Sequence, residues 1–177
     1  MYPFPNRIEN PRYTLGVVIS VPEPLRTQLH HWRVRYGAAD SQQVAPHITL
    51  VTGSYRGTWE AAAEHVARVC AEQRGFTVRL GPAQSFRPVT QVTYLPLEVG
   101  ERVCHQLHQS LVNGPLVHDS AYSYHPHLTI AQNVPDAQLE RALADLAQVR
   151  LDFAVTEVQL FDMRHGEWNL SQSFTLT

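Results

Sequence analysis

The sequence predicts an α+β fold of two pseudo-symmetric lobes, each with an antiparallel-rich sheet and helices outside, around a central cleft. Strand-like and helix-like segments alternate about twice along its 177 residues. The strand-to-helix junction Val21-Pro22-Glu23 has a counterpart in Val134-Pro135-Asp136, which indicates a degenerate internal duplication. Because the chain is close to the usual size of one domain, we expect residues 1–177 to form a single bilobal unit.

Short stretches rich in Val, Ile, Thr and aromatic residues predict the first strands. They are Tyr13–Val21, Val44–Val51, Phe76–Leu80 and Val92–Val99. Pro22 and Pro24 suit the first turn of a helix that ends at Gly37, and a loop with Gly53 and Gly57 leads to a second helix. The apolar positions of these two helices are Leu25, Leu29, Trp32 and Tyr36, then Trp59, Ala62, Ala63, Val66 and Cys70.

The second half of the chain repeats this order of elements. A third helix is predicted before the break Asn113-Gly114-Pro115, a strand is centred on His127, and Pro135 opens a fourth helix. The inward positions of these helices are Val103, Leu107 and Leu111, then Leu139, Ala142, Leu143 and Leu146. The chain closes with Leu151–Met163 and Trp168–Thr177, which we expect to be two antiparallel strands joined by a turn.

The composition excludes several classes of protein. Hydrophobic residues make up 44% of the chain and charged residues 17%, which is typical of a globular protein. A formal net charge of −2 supplies no excess of Lys and Arg to hold a long nucleic-acid duplex, so a nucleic-acid partner should be short or terminal. Met1–Arg7 shows no secretion signal, and no stretch approaches membrane-spanning length. We therefore expect a cytoplasmic, soluble monomer that binds no membrane.

Two five-residue segments share the order Pro-His-aliphatic-Thr-aliphatic: Pro46–Leu50 and Pro126–Ile130. Side chains alternate between the two faces of a strand, so the His and the Thr of each copy point to the same side. If the two strands lie near a pseudo-twofold axis, two imidazoles and two hydroxyls converge on one cleft. The duplicated motif therefore predicts a polar site of about the size of a phosphate.

Such a set of side chains fits the cleavage of a phosphodiester. The reaction needs a base for the nucleophile and an acid for the leaving oxygen, and imidazole titrates in the right range for both. Threonine hydroxyls can donate to non-bridging oxygens as their charge builds. We predict His47 and His127 as the catalytic residues and Thr49 and Thr129 as the phosphate-binding residues. This chemistry requires no metal and no cofactor.

At these residues the sequence resembles the two-histidine phosphoesterase superfamily, in particular its bacterial 2′-5′ RNA ligase and RNA 2′,3′-cyclic phosphodiesterase branch. The segment Leu80–Pro88 also looks like the central region of that family. The resemblance implies two pseudo-symmetric α+β lobes around a water-filled cleft, with His47 as proton donor and His127 as proton acceptor. It also implies an enzyme that opens a 2′,3′-cyclic phosphate of RNA ends or nucleotides to a 2′-phosphate, with 2′-5′ ligation as the reverse reaction.

Other residues near the motifs are candidates for substrate contacts. Tyr124 and Phe86 are suited to stacking on an unpaired base, with packing in the core as the alternative for each. Arg87 is a candidate for a phosphate contact, although exposed arginines usually have no special role. Many RNA-processing relatives carry a basic residue shortly after the second motif, whereas this chain reads Ala131-Gln132-Asn133.

The same residues allow other interpretations. A single His-x-Thr is more often a structural histidine, and His125 and His127 share a strand face as metal ligands sometimes do, although no acidic or Cys cluster of ligand spacing is nearby. Four histidines that lie on predicted helices among Gln and Arg are expected to be solvated or rim residues: His30, His31, His105 and His108. Cys70 and Cys104 lie among apolar residues and should remain reduced. The rival functions are a non-catalytic nucleotide-binding module and a phosphodiesterase for another small cyclic phosphate or a 2′-5′ oligonucleotide.

Overall fold

The computed structural model describes residues 13–37 and 44–177. This part of the chain contains ten strands and four helices in the order β1 (Leu15–Ser20), α1 (Leu25–Tyr36), β2 (His47–Tyr55), α2 (Trp59–Glu72), β3 (Phe76–Leu80), β4 (Gln84–Ser85), β5 (Val92–Val99), α3 (Glu101–Val112), β6 (Leu116–His118), β7 (His127–Gln132), α4 (Asp136–Asp145), β8 (Leu151–Val155), β9 (Glu157–Asp162) and β10 (Asn169–Thr175). The expected α+β class is confirmed. Met1–Arg7, on which the expectation about secretion rests, lies outside the described residues.

The strands form two antiparallel sheets, one for each predicted lobe. The first has the order β10-β9-β1-β2-β6, and the second has the order β4-β5-β3-β8, with β7 on the other side of β5. In the first sheet β1 pairs with β2, and in the second sheet β5 pairs with β7. The strands β2 and β7 each begin with a His-x-Thr motif. The two sheets therefore present the motifs in equivalent places, as the internal duplication predicts.

Two of the helices, α1 and α3, cross between the sheets. α1 follows β1 in the first sheet but packs against β7 in the second, where α4 also lies. α3 follows β5 in the second sheet but packs against β2 and β6 in the first, next to α2. Each sheet is therefore covered by one helix from its own half of the chain and one from the other half.

Buried aliphatic side chains from both halves form one core under the two sheets. The fully buried members with the largest side chains include Leu15, Ile19, Leu29, Ile48, Leu50, Leu80, Leu95, Leu111, Leu116, Leu128, Ile130 and Leu139. The apolar helix positions predicted from the sequence are buried or partly buried against this core. Thr58 caps α2, since its hydroxyl accepts a hydrogen bond from Ala61 N at 3.1 Å.

The predicted strand Leu151–Met163 is wrong in one respect, because it divides into β8 and β9, which belong to different sheets. Phe153 and Val155 are buried in β8, whereas Val158 and Leu160 are buried in β9. The buried positions are odd-numbered before Thr156 and even-numbered after it. Since strand side chains alternate strictly, this change of phase marks the place where the chain leaves one sheet and enters the other.

Gly53 is also placed differently from the prediction, because β2 runs through it to Tyr55 instead of ending in a loop. The extension pairs with β6, a short strand with no clear signal in the sequence, and Gly53 lies opposite His118. A Cβ atom at Gly53 would overlap the Val117 carbonyl oxygen. The close pairing of β2 with β6 therefore depends on a residue without a side chain.

The helices and the two cysteines can also be compared with the sequence-based expectations. None of the helices within residues 13–37 and 44–177 is long and apolar enough to cross a membrane. Cys70 and Cys104 are both free and buried, as expected. Burial raises the pKa of the Cys70 thiol to about 11 and that of Cys104 to about 12, so both thiols remain protonated and unreactive.

Candidate active site

The structure brings the two His-x-Thr motifs together. β2 and β7 belong to different sheets, yet the two strands contact each other. Tyr124, three residues before His127, donates a hydrogen bond from its hydroxyl to the carbonyl oxygen of Thr49 at 2.9 Å. The approach to the second motif is therefore attached to the backbone of the first.

The two motifs have the same burial pattern, residue for residue. In each copy the residue two before the histidine is exposed, the proline is buried, the His and Thr are half-buried, and the aliphatic residues are buried. The intervening Ile48 and Leu128 are fully inaccessible to solvent. The aliphatic side chains thus anchor both strands in the core, while His47, Thr49, His127 and Thr129 remain at the surface between the sheets.

Both motif strands also contain a β-bulge at the same position. Val17 and Val18 of β1 pair with Val51 and Thr49, which leaves Leu50 as an extra residue in β2. Thr93 and Tyr94 of β5 pair with Ala131 and Thr129, which leaves Ile130 as the extra residue in β7. A bulge bends a strand and changes the direction of its side chains, so each motif ends at an equivalent bend.

The backbone fixes the protonation pattern of both histidines in the same way. Nδ1 of His47 lies 2.8 Å from the carbonyl oxygen of Ala45, and Nδ1 of His127 lies 2.7 Å from that of His125. A carbonyl oxygen can only accept, so Nδ1 carries the hydrogen in both rings. In the neutral imidazole Nε2 then holds the lone pair, and it is the nitrogen through which a proton can be gained or lost.

Aromatic rings surround the second motif. Phe86 stacks on Tyr94 with a centroid distance of 3.8 Å, and its ring stands perpendicular to that of His127 at 5.0 Å. The exposed ring of His125 contacts the same two rings and lies 6.1 Å from the ring of His127. Phe86, a candidate substrate contact, thus lies directly beside the predicted base.

A different aromatic ring lies beside the first motif. The indole of Trp168 is half-buried and lies 5.3 Å from the His47 ring, centroid to centroid. The sequence gives no local signal for this contact, because the two residues are distant in the chain. The strand order β10-β9-β1-β2 brings Trp168 across the first sheet toward His47.

Strand β6 pairs only with Gly53–Tyr55 of β2. Along the preceding residues of β2, three side chains form hydrogen bonds with the strand: Tyr124, His108 and His118. Beside the Tyr124 bond, His108 donates from Nδ1 to the carbonyl oxygen of Leu50 at 2.7 Å, and Nδ1 of His118 accepts from Thr52 N at 3.2 Å. The His108 and Tyr124 rings are stacked in parallel at 3.9 Å. These contacts hold the strand around the Leu50 bulge.

His108 is therefore not the solvated histidine expected from the sequence, because it is buried against β2. Burial lowers its pKa below the ordinary value, which favours the neutral ring. Burial also raises the pKa of Tyr124, so its hydroxyl remains a donor. The stacking and the hydrogen bond support the packing alternative for Tyr124, whose role as a substrate contact stays a prediction.

Arg87 lies close to carboxylates instead of facing an open anion site. Its guanidinium is 3.4 Å from Glu140 and 4.0 Å from Asp136, both in α4. A phosphate would have to compete with these two groups for the cation, and the predicted contact remains untested. Across residues 13–37 and 44–177, no group of three or more His, Cys, Asp or Glu side chains is arranged to hold a metal ion.

We expect Tyr124→Phe to destabilise the fold by about 1–2 kcal/mol and to lower kcat, because the Thr49 carbonyl loses its donor and the motif can shift. Urea unfolding and steady-state kinetics measure the two effects. Tyr122→Phe is the matched control, since Tyr122 is 56% exposed and two residues away. Equal behaviour of the two variants would contradict a role for the Tyr124 hydroxyl in holding β2.

The sequence matches a known family and is similar to curated relatives. A family model described as the 2′-5′ RNA ligase superfamily matches residues 21–167, which include both motifs. A Bacillus pumilus protein named "Putative phosphoesterase" is 28% identical over 167 residues, covering 91% of this chain and 96% of the relative. A Geobacillus kaustophilus protein of the same description is 25% identical, covering 90% and 94%.

Solved structures share the fold. The crystal structure of E. coli LigT complexed with NADP+ superposes with a TM-score of 0.66 at 22% identity and covers 94% of this chain and 99% of that one. TT0787 of Thermus thermophilus gives a TM-score of 0.61 at 16% identity, covering 92% and 97%. At these identities the likeness concerns the arrangement of the chain: two antiparallel sheets and four helices within the residues described above.

Proposed function

Because the chain belongs to the 2′-5′ RNA ligase superfamily, we propose that it is a metal-independent phosphodiesterase that opens the 2′,3′-cyclic phosphate of an RNA end or a nucleotide to a 2′-phosphate. One observation carries the proposal. The two His-x-Thr motifs have matching burial, matching bulges and matching hydrogen bonds at Nδ1. Two imidazoles prepared in the same way on facing strands are suited to act as an acid and base pair.

The proposed reaction uses Nε2 of both histidines. Nε2 of His127 accepts a proton from water as the water oxygen attacks phosphorus. The bond between phosphorus and the ribose 3′ oxygen breaks, and Nε2 of His47 gives its proton to that oxygen. The product is a 2′-phosphate with a free 3′-hydroxyl, and one water has been consumed. Assignment of the acid to His47 and of the base to His127 is carried over from the family resemblance.

The carbonyl groups of Ala45 and His125 support these roles. Each accepts the Nδ1 hydrogen of its histidine and so keeps the ring in one orientation during proton transfer. A carbonyl dipole also stabilises an imidazolium, which must exist on His47 before the reaction and on His127 after it. This arrangement resembles the part that a carboxylate plays beside a catalytic histidine, with a weaker acceptor.

In water the hydrolytic direction should dominate. Joining two ends through a 2′-5′ linkage is the reverse of the same step and needs a ribose hydroxyl in the place of the water. The protein's partners would be short RNA ends or cyclic nucleotides, in keeping with a net charge of −2 that offers little attraction for a long duplex.

The proposal is tested with a panel of nucleoside 2′,3′-cyclic phosphates, RNA with a cyclic phosphate end and 2′-5′ oligomers, with products separated as 2′- or 3′-phosphates. We expect 2′-phosphate products at an unchanged rate in the presence of a strong chelator. Loss of activity on chelation with recovery on adding a divalent metal would refute the metal-free mechanism. Binding without turnover of any substrate would identify a non-catalytic module instead.

Removal of either threonine hydroxyl should lower kcat by roughly 10- to 1000-fold, because Thr49 and Thr129 are proposed to donate to phosphate oxygens as their charge builds. Thr49→Val and Thr129→Val keep the shape of the side chain and remove only the donor. Steady-state kinetics on a cyclic nucleotide measures the loss, and Thr→Ser at the same positions is the control that should keep most of the activity. An unchanged rate in both valine variants would remove these residues from the site.

A further inference from the structure

We infer that Trp168 forms the binding surface for the nucleobase of the nucleoside whose ribose oxygen departs, on the His47 side of the cleft. The inference rests on the proposed function. It adds a binding residue to the four side chains of the two motifs and commits to an aromatic base as its ligand. The indole is half-buried, and its ring lies 5.3 Å from the ring of His47.

The position of the indole is fixed by what lies behind it. A Cβ atom at Gly16 would come within 2.9 Å of Cζ3 of Trp168, so the ring rests directly against the backbone of β1. Phe161 meets the indole edge-on at 5.4 Å. Met163 lies against the same point of β1, with its sulfur 3.2 Å from the Gly16 Cβ position. The ring is thus supported by several neighbours and costs little further ordering when a ligand binds.

The turn that carries Trp168 is also held in place. Met163 N donates to the carbonyl oxygen of Thr14 at 3.0 Å, and Arg164 forms a bidentate ion pair with Asp162, its Nη2 2.6 Å from the carboxylate. The Arg164 guanidinium in turn lies 4.9 Å from the centre of the Trp59 ring. A surface turn with these attachments presents its aromatic side chain at a defined place.

The positions of the proposed acid and base determine which part of the substrate contacts the indole. The acid must touch the leaving oxygen, and the attacking water lies on the opposite side of phosphorus, near the base. The ribose that carries the leaving oxygen is therefore next to His47, and its base projects from that ribose. Trp168 is the ring on this side, whereas Phe86 and Tyr94 lie beside His127, where the water enters.

The test compares two substrates, a nucleoside 2′,3′-cyclic phosphate and the baseless ribose 2,3-cyclic phosphate. Trp168→Leu should reduce the ratio of their kcat/KM values by roughly 10- to 100-fold, the range measured for the loss of one stacked base. Trp168→Phe should restore most of the ratio. Trp32→Leu is the matched control, because it removes a half-buried indole from α1, which has no part in the turn that carries Trp168, and it should leave the ratio as in the wild type. An equal loss on both substrates in Trp168→Leu would overturn the inference, as would a change of the ratio in Phe86→Leu alone.

A second measurement does not depend on turnover. The chain has three tryptophans, and adenosine 2′-monophosphate should quench the fluorescence of the wild type. The quenching should disappear in Trp168→Phe and persist in Trp32→Phe, because Trp32 lies on α1. Quenching that persists in Trp168→Phe would overturn the inference. If no substrate were hydrolysed but the quenching still depended on Trp168, the proposed reaction would be wrong and the base-binding role of Trp168 would stand.

Discussion

Replacement of His47 by alanine is expected to lower turnover of a nucleoside cyclic phosphate by roughly 100- to 10,000-fold while partly sparing a nitrophenyl phosphodiester. A ribose alkoxide is a poor leaving group that needs the proton from His47, whereas nitrophenolate is stable without one. His127→Ala should slow both substrates, because water needs a base whichever group departs. Steady-state kinetics of the two variants on the two substrates separates the roles.

The reverse outcome is equally informative. If His47→Ala damaged both substrates equally and His127→Ala spared the nitrophenyl ester, the acid and the base would be exchanged. If neither variant lost turnover, the two-histidine mechanism would be wrong. His31→Ala serves as a control, since His31 is exposed on α1 and takes no part in the proposed reaction.

The wild type should show a bell-shaped dependence of kcat/KM on pH. Activity rises as the base loses its proton and falls as the acid loses its own, because the mechanism requires one neutral ring and one protonated ring at the same time. The two apparent values belong to the pair when the rings interact, so the leaving-group comparison assigns the roles better than the profile does.

Gly53→Ala is expected to destabilise the protein by about 3 kcal/mol or more, which corresponds to a fall in Tm of roughly 6–12 °C. The new methyl group would overlap the Val117 carbonyl oxygen and lie 2.8 Å from Asp119 N, so β2 and β6 must separate. Two hydrogen bonds at Thr52 are then lost, one in which Thr52 N donates to Nδ1 of His118 and one in which Asp119 N donates to the Thr52 carbonyl oxygen. Thermal unfolding followed by circular dichroism measures the change.

Gly57→Ala is the matched control four residues away. A Cβ atom there meets nothing within 4 Å, so its cost comes only from the backbone at φ 77° and should be about 1 kcal/mol. If the two alanine variants unfolded at the same temperature, the close pairing of β2 with β6 would contribute nothing to stability.

Much of the fold could be predicted because its signals are local. The spacing of apolar residues in α2 and α4 identifies the buried face of each helix, and β-branched runs identify β1, β2 and β5. The candidate site could be proposed from the duplicated motif, because alternation along a strand places His and Thr on one face whatever the sheet around them. The division at Thr156 was missed, although the apolar residues of the sequence change from odd to even positions there.

The remaining features depend on contacts between distant parts of the chain. The bulges at Leu50 and Ile130 are properties of a strand pair, and no single strand specifies them. The contact of Trp168 with His47 depends on the strand order β10-β9-β1-β2, in which the indole lies over β1 next to β2. His108 was expected in solvent because its helical neighbours are polar, and its burial follows from the crossing of α3 to the first sheet.

The crossing of the helices bears on how the protein is made. β1 cannot complete its sheet before β9 has left the ribosome, and β7 is uncovered until α1 packs on it. Folding must therefore wait for contacts between residues far apart in sequence, a topology of high contact order that favours slow folding. A nascent chain that contains His47 but not His127 exposes the surfaces that α3 and β9 later cover. The two histidines thus become a pair in one late event, and a truncated chain would be a target for chaperones or proteases, not half an enzyme.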